Sequence, residues 1–405
     1  MIATKTRFWV LGASLLLLMV LMTGCGGSAA AALTGASWPG ITVYDGLIYM
    51  AAGPQVFALE PGERGTVTVW SFPEEASRTS LIFAAPAVDE SLVVVASYDG
   101  KVYALDPNTG AARWSVESTS NRFIGSAALS ADRVYIAGTN GTLYALDRDT
   151  GSEDWRFTAE RDFWSTPLIV EDRLYITSLD RHLYALDLAT GDLLWKFPED
   201  GVEEDGPPAA AMLGTPTLLG ETLYFSSFNN RLYALDIATQ EVKWTYTAAN
   251  WMWNSPAYDE KSGLLIGGDL DGHVFALDPE TGEEVWTFDA NGPVVGSPLF
   301  VDRDGQRVVM FTSGNQGGDS NFYILKAEDG SQADAPLSIK NDFSTRFLFI
   351  PTGTDNRSIP IYGAPVLMDD LILVGAHQGD FTLFALDAET LLVRWKCNPV
   401  TGTCS

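Results

Sequence analysis

One short pattern recurs along this chain of 405 residues and constrains its fold more than any other feature. An aromatic residue is followed by Ala-Leu-Asp, by a turn that ends in Gly, and by a Trp four residues further on, as in residues 103–110 with Trp114. Eight such units occur, some of them imperfect, and most lie about 40–50 residues apart, the period of a four-stranded propeller blade. The chain is therefore predicted to be a repeat array.

Seven of the twelve Trp residues occupy the repeated position, and the unit at 323–330 has none. We interpret these seven as structural, each packing its indole against the adjacent blade while the ring N–H finds a carbonyl. They are Trp70, Trp114, Trp155, Trp195, Trp244, Trp286 and Trp395.

The chemistry of the repeated segment indicates a strand followed by a tight hairpin. Alternation places Tyr103 and Leu105 on one face and Ala104 on the other, and both faces are apolar, as expected where sheets stack side by side. Asp106 can accept hydrogen bonds from backbone amides two residues on, and Gly110 supplies the positive φ that closes the turn.

Two further strand-like runs precede each segment, and the first usually begins with Pro. Each blade is thus predicted to hold four strands, A to D, with two-residue B–C turns such as Asp99-Gly100 and Asp271-Gly272. In the fifth unit the strands are expected at 214–219, 222–227, 231–236 and 242–247. The predicted fold is all-β: an eight-bladed β-propeller of four-stranded antiparallel blades over residues 38–405.

This pattern resembles the quinoprotein-like (PQQ-like) propeller superfamily, whose tryptophan-docking motif reads Ala-x-Asp-x-x-Thr-Gly-x-x-x-Trp. Here the motif stands as Ala104, Asp106, Thr109, Gly110 and Trp114, and the resemblance covers about residues 38–400. WD40 and kelch arrays share the period and not the motif. The resemblance implies the fold, and fold alone does not fix function.

The first 24 residues are interpreted as a secretory signal, because Lys5 and Arg7 precede an apolar run at 8–22. The small residues before Cys25 resemble a bacterial lipobox, which implies a diacylated (palmitate-bearing) cysteine at the start of the mature chain. Residues 25–37 would then be a flexible tether, and the protein would lie on the extracytoplasmic side of a bacterial envelope, attached to the membrane through Cys25. The alternative, an uncleaved transmembrane anchor, would have to use a short apolar run.

The two remaining cysteines, Cys397 and Cys404, are expected to form a disulfide in an oxidising compartment. A zinc site would need more N or S ligands than they supply. The formal net charge of −27 argues against nucleic-acid binding, because such a surface repels phosphates. The histidines His182, His273 and His377 are interpreted as separate surface residues rather than as a metal site.

Strand direction predicts where loops differ between blades. If strand A is innermost, the B–C turns and D–A crossovers emerge on one face, the crossover face, and the A–B and C–D turns on the other, the hairpin face. The crossovers carry the aromatic, Arg and Asn side chains that we select as a candidate binding face, either for a protein or peptide or, alternatively, as a plug for the channel mouth. They are Arg122, Phe123, Phe163, Trp164, Trp251, Trp253, Asn254 and Tyr362.

Two functions follow from the resemblance. The first is a non-catalytic, monomeric, lipid-anchored scaffold similar to the BamB-type lipoproteins of the outer-membrane β-barrel assembly machinery, with a β-barrel assembly protein as partner if an outer membrane exists. The second is a quinoprotein oxidoreductase holding PQQ and Ca²⁺, with Trp164, Trp251 or Trp253 as stacking platform and Asn254 as metal ligand. The larger enzymes add an adjacent Cys-Cys pair, which this sequence lacks. Ligand or glycan binding by a surface lipoprotein is a further alternative.

Overall fold

A computed structural model describes residues 40–74, 82–118, 122–199, 210–254, 256–314, 320–339, 363–376 and 382–405. Throughout these ranges the regular structure is β, arranged in eight separate sheets. The predicted all-β fold with eight four-stranded antiparallel blades is confirmed. No helix with the length and apolarity to cross a membrane occurs in these ranges.

The first four blades use the strands of the amino-terminal half. Blade one contains β1 (Ile41–Tyr44), β2 (Leu47–Ala52), β3 (Gln55–Gly62) and β4 (Gly65–Phe72). Blade two contains β5 (Ala87–Val88), β6 (Val93–Ala96), β7 (Lys101–Leu105) and β8 (Ala112–Glu117). Blade three contains β9 (Ala128–Leu129), β10 (Arg133–Ala137), β11 (Thr142–Asp147) and β12 (Glu153–Thr158). Blade four contains β13 (Leu168–Val170), β14 (Arg173–Thr177), β15 (Leu183–Asp187) and β16 (Leu193–Phe197).

The last four blades follow in the same order. Blade five contains β17 (Thr217–Leu219), β18 (Thr222–Ser227), β19 (Arg231–Asp236) and β20 (Val242–Thr247). Blade six contains β21 (Ala257–Asp259), β22 (Leu264–Gly268), β23 (His273–Leu277) and β24 (Glu284–Asp289). Blade seven contains β25 (Leu299–Arg303), β26 (Gln306–Ser313), β27 (Ser320–Lys326) and β28 (Leu337–Ile339). Blade eight contains β29 (Val366–Met368), β30 (Leu371–Gly375), β31 (Leu383–Asp387), β32 (Val393–Asn398) and a fifth strand, β33 (Thr403–Cys404).

Blade five shows how closely sequence and structure agree. Its B, C and D strands have the expected bounds, whereas strand A begins at Thr217, three residues later than expected. The residues before it line the axis and bond to the neighbouring blade instead: the Thr166 amide donates to Thr215 Oγ1 at 3.0 Å. Pro216 has no N–H to give to a ladder, so strand A starts after it.

The repeated hairpin is held by the aspartate that the sequence singles out. In blade two, Asp106 Oδ1 accepts hydrogen bonds from the backbone amides of Asn108 and Thr109, both at 3.1 Å, and from the Thr109 hydroxyl. The Gly110 amide donates to the Asp106 carbonyl at 2.9 Å, with Gly110 at φ 69°. The pairing of strands C and D shifts register between Ala104 and Leu105, just before this turn. Among the described pairings, the same shift recurs in every blade except the seventh.

The repeated geometry of the hairpin accommodates the indole of the preceding blade. Trp70 of blade one donates from Nε1 to the Pro107 carbonyl of blade two at 2.8 Å. Its ring lies on Gly110, where a Cβ atom would stand 2.6 Å from the indole. The absence of a side chain at Gly110 therefore leaves room for the Trp70 indole. The same Trp-on-Gly contact joins Trp114 with Gly151, Trp155 with Gly191, Trp244 with Gly282 and Trp286 with Gly330.

Blade seven lacks the tryptophan, and blade eight compensates for it. Leu391 occupies the turn position that holds Gly in the regular blades, with φ 60°, and is only 4% exposed. It belongs to the same apolar cluster as Leu337 of blade seven. At this junction the large side chain comes from the later blade rather than from the earlier one, and the interface is filled in both cases.

Blades eight and one close the ring. Trp395 is 1% exposed and packs in one cluster with Ile48, Met50 and Leu59 of blade one. Cys397 and Cys404 form a disulfide, as predicted, and thereby tie β33 to β32. The disulfide lies against β4: the Thr66 amide is 3.3 Å from Cys397 Sγ, and a Cβ at Gly65 would stand 2.7 Å from Cys404 Sγ. The fifth strand, which the sequence analysis did not foresee, thus fastens the junction.

Candidate functional site

Hydrogen bonds confirm the assignment of loops to two faces. The Ser118 amide, after strand D of blade two, donates to the carbonyl of Gly100 in the B–C turn. On the opposite face Arg148, in a C–D hairpin, makes an ion pair with Asp89, in the A–B turn of the preceding blade, at 2.5 Å. Arg148 also supplies the carbonyl that accepts from Trp114 Nε1.

Arg122 lies exposed on the crossover face and is held by an aromatic neighbour. Its guanidinium carbon lies 4.8 Å from the ring centroid of Tyr98, and Nη1 donates to the Tyr98 hydroxyl at 3.0 Å. Phe83 meets the same ring edge-on at 5.1 Å. A cation fixed over an aromatic ring at the surface is suited to contact a partner.

Phe123 and Phe163 do not belong to the exposed face on which the sequence analysis placed them. Phe123 is 2% exposed, and Phe163 is fully buried. The Phe163 amide donates to the Gly138 carbonyl in the preceding blade's B–C turn, and its ring meets Tyr184 edge-on at 6.2 Å. The crossover backbone is anchored in this way, so these two rings point into the blade junctions and serve as core.

Four aromatic rings form a continuous row across the crossover face. Trp251 stacks on Phe228 with centroids 4.9 Å apart and planes 15° apart. Trp253 lies 6.4 Å from Phe228 and 6.2 Å from Trp164, which comes from a different crossover. We call these four residues the aromatic row. Phe228, in a B–C turn, was not selected from the sequence, although its place beside the Asn-Asn turn could have indicated it. Tyr362 lies outside the described residues.

A cavity of about 660 Å³ lies on the axis beneath the row. Its walls are the segments that lead into strand A of successive blades, which carry mostly Gly, Ser, Thr and Pro. Trp164 and Trp253 line it at the crossover side, while Tyr258 and Glu260 line it where strand A of blade six ends. The structure therefore brings Trp164, Trp253 and Asn254 together and leaves Arg122 and Trp251 outside the cavity.

The side-chain amide of Asn254 is oriented by a hydrogen bond that only its nitrogen makes. Nδ2 donates to the Gly296 carbonyl at 2.8 Å, which orients the group, because the flipped amide would set two acceptors against each other. Oδ1 is buried, and no described residue donates to it. Burying an acceptor without a hydrogen-bond partner destabilises the folded protein by about 1–3 kcal/mol. A ligand that donates a hydrogen bond to this oxygen would remove that cost.

The titratable groups near the mouth are few. Burial raises the pKa of the Asp162 carboxyl, against the opposing effects of the Trp164 indole and Arg161. His182 Nδ1 lies 3.2 Å from Asp180, and His273 Nδ1 lies 3.0 Å from Asp289, so each of these histidines faces its own carboxylate. His377 is not among the described residues. Within the part that the structure describes, no three His, Cys, Asp or Glu residues are grouped so that they could hold a metal ion.

The described lining of the cavity does not fit PQQ with Ca²⁺. That quinone carries several carboxylates, yet the lining contains no Lys or Arg, and its one charged residue is Glu260. A carboxylate at this position would repel the cofactor, and the described residues include no group of three His, Cys, Asp or Glu side chains that could form a calcium site with Asn254. The stacking surfaces expected at Trp164 and Trp253 are present, whereas the complementary charge is missing from these residues.

The chain matches the family model described as "Outer membrane protein assembly factor BamB" over residues 27–129, 99–250 and 252–334. The repeated indole-on-glycine junctions and the match together define a tryptophan-docking, PQQ-like β-propeller. The chain belongs to this BamB family.

Solved structures share the fold at low sequence identity. BamB from Moraxella catarrhalis is 21% identical, with a TM-score of 0.62 over 84% of this chain and 93% of that one. The quinohemoprotein alcohol dehydrogenase ADHIIG from Pseudomonas putida HK5 is 16% identical, with a TM-score of 0.62 over 85% of this chain and 72% of that one. The computationally designed Ika8 protein is 14% identical, with a TM-score of 0.65 over 86% and 95% of the two chains.

A curated relative matches only in part. The serine/threonine-protein kinase AfsK of Streptomyces griseus is 40% identical over 82 residues, which are 20% of this chain and 10% of the kinase. The match therefore extends over a tenth of that protein's length.

Proposed function

We propose that this protein is a non-catalytic scaffold of the bacterial envelope, anchored through a lipid on Cys25 and binding a protein partner with its crossover face. Membership of the BamB family is the observation that carries the proposal. In a cell with an outer membrane the partner is a β-barrel assembly protein. In this proposal the protein works outside the cytoplasm as a single propeller and does not bind nucleic acid.

The chemistry of the crossover face supports the proposal. Arg122 over Tyr98 and Trp251 on Phe228 present a fixed cation and a stacked aromatic pair, the residue types that dominate binding energy in protein interfaces. Both pairs are held by ring contacts before any partner arrives, so binding loses little side-chain entropy.

Affinity purification tests the partner. The protein is captured from native membranes in mild detergent, and we expect a β-barrel assembly protein among the polypeptides that co-purify. Trp251→Ala should reduce its recovery at least fivefold, because the variant removes half of the stacked pair. Val285→Ala, at a 51%-exposed residue of an outer strand, is the matched control and should change nothing. Full recovery with Trp251→Ala and Arg122→Ala combined would refute the binding face.

The lipid anchor is tested separately. Cys25→Ser should move the protein from the membrane fraction to the soluble fraction and abolish incorporation of labelled palmitate. An unaltered protein that takes up no labelled palmitate, together with a variant that stays in the membrane fraction, would favour an uncleaved apolar anchor. Titration with PQQ in the presence of Ca²⁺, followed by dye-linked dehydrogenase activity, tests the oxidoreductase alternative, and saturable binding with turnover would replace the scaffold proposal.

A further inference from the structure

We infer that the axial cavity is a binding site for a neutral, polyhydroxylated small molecule of mono- or disaccharide size. The inference rests on the cavity and does not depend on the proposed scaffold function. It combines three observations: the size of the cavity, the nature of its two walls, and the unused acceptor on Asn254.

The size of the cavity suits such a ligand. A volume of about 660 Å³ lies within the range of small-molecule sites, and segments of blades two to seven line it. The exposed residue Glu260 marks the end that reaches solvent on the hairpin face. Trp164 and Trp253, with centroids 6.2 Å apart, form the other end, so a ligand entering along the axis stops against aromatic rings.

The walls select for a ligand with both apolar and hydroxyl surfaces. Aromatic faces carry the negative part of a quadrupole and attract the slightly positive C–H patches of a sugar ring. Beside these rings, Asn254 Oδ1 is a buried acceptor that no described residue uses, and its orientation is fixed by the bond from Nδ2 to the Gly296 carbonyl. A ligand hydroxyl can donate to this oxygen and remove the cost of burying it unpaired.

Charge excludes the other common ligand classes. Among the described residues the lining holds no cationic side chain, and the protein as a whole carries a formal charge of −27, so phosphates and carboxylates are repelled. A purely apolar ligand would leave Asn254 Oδ1 unpaired. A neutral polyol satisfies both conditions.

The test uses maltose, cellobiose and diacetylchitobiose as probes, with glucuronate as the anionic comparison. Isothermal titration and the quenching of Trp fluorescence measure binding to the full mature chain. We expect saturable binding of at least one neutral disaccharide with one site per propeller, and no saturable binding of glucuronate.

Two cavity variants and one matched control locate the site. Asn254→Leu removes the acceptor at similar volume, and Trp164→Leu replaces the flat indole with a smaller aliphatic side chain; each should weaken binding at least tenfold. Asn108→Leu makes the same chemical change at an exposed hairpin residue and should bind as the unaltered protein does. Because Asn254 also holds Gly296, near-ultraviolet circular dichroism verifies the fold, and Trp164→Leu keeps the test valid if Asn254→Leu unfolds.

Three outcomes would overturn the inference. The first is the absence of saturable binding by all three neutral probes, which would mean that the cavity holds water only. The second is unchanged affinity in both folded variants, which would place the sugar elsewhere. The third is binding of glucuronate as tight as that of the neutral probes, which would refute the argument from charge.

Discussion

The junction between blades one and two and the junction between blades seven and eight solve one packing problem in opposite ways. At the first, Trp70 comes from the earlier blade and Gly110 of the later blade leaves it room. At the second, the earlier blade has no Trp, and Leu391 of the later blade fills the space with a left-handed backbone that is costly for Leu. The comparison teaches that the total volume at a junction is maintained, while the residue that supplies it can change sides.

The largest effect is expected where the indole already fills the junction. Gly110→Ala places a methyl group 2.6 Å from the Trp70 ring and forces Ala to adopt φ 69°. We expect it to lower the free energy of unfolding by about 4 kcal/mol, from overpacking and backbone strain together. Urea denaturation measures this loss.

Gly220→Ala is the matched control for that change. Gly220 has φ 58° with open space around it, so only the backbone cost of about 1 kcal/mol applies. If both variants lose the same free energy of unfolding, the Trp70 indole can shift to accommodate a methyl group and the junction is not tightly packed.

The reversed junction should be sensitive to the opposite change. Leu391→Ala leaves a cavity between blades seven and eight where Leu391 is 4% exposed, and we expect a loss of about 3 kcal/mol in urea denaturation. Leu392→Ala, at an adjacent residue that is 40% exposed, serves as control and should cost far less. If both variants unfold at the same urea concentration, compensation by Leu391 is refuted.

The closing junction uses a covalent device that the others lack. Replacing both Cys397 and Cys404 with Ser opens a short loop and should lower the free energy of unfolding by roughly 2.5 kcal/mol in the chain-entropy account. Reduction of the unaltered protein should have the same effect, and it should add nothing to the double variant. A reduced protein as stable as the oxidised one would show that packing of Trp395 alone closes the ring.

A smaller difference in stability is expected between two regular junctions whose indoles differ in hydrogen bonding. Trp114 Nε1 donates to the Arg148 carbonyl at 2.7 Å, whereas Trp155 Nε1 is buried without a partner among the described residues. Trp114→Phe should therefore cost about 1 kcal/mol more than Trp155→Phe, because it leaves a carbonyl unpaired. Thermal unfolding of the two variants measures the difference, and the reverse order would contradict it.

The smallest effect concerns pH. The hydrogen bond from the Thr390 amide, and after it the one from Arg394, hold the pKa of Asp387 below its usual range. The ionised carboxylate therefore stabilises the fold at pH values above the pKa of the unfolded chain. This contribution is lost as the pH falls through the lower pKa of the folded protein. Asp387→Asn keeps an acceptor and does not titrate. We expect urea midpoints to fall less steeply from pH 5 to acid in the variant; parallel curves would remove Asp387 from the explanation of acid unfolding.

The repeated part of the fold could be predicted because local chemistry determines it. The spacing of Asp106, Gly110 and Trp114 fixes a hairpin and an indole contact within a dozen residues, and the structure follows it. The irregular part depends on partners distant in sequence. The residues adjacent to Leu391 in the sequence do not indicate that the preceding blade lacks a Trp. The contact of Cys404 with Gly65 joins segments that lie far apart in the chain.

The crossover residues show the same limit. Phe163 and Trp164 are neighbours of similar character, yet one ring enters the core and the other reaches the axial cavity. The hydrogen bond from the Phe163 amide to Gly138 decides which ring turns inward, and that partner lies in another blade. Sequence could identify the crossover as unusual, whereas the direction of each side chain required the assembled ring.

Strand A runs from the crossover face toward the hairpin face, so the chain enters β1 at Gly40 beside the axial mouth. Cys25 lies fifteen residues earlier, a span of at most about 50 Å even when fully stretched. The fatty-acyl group proposed for Cys25 would therefore be joined to the propeller at its crossover face, on the same side as the aromatic row. The hairpins and Glu260 lie on the other face, away from this point of attachment.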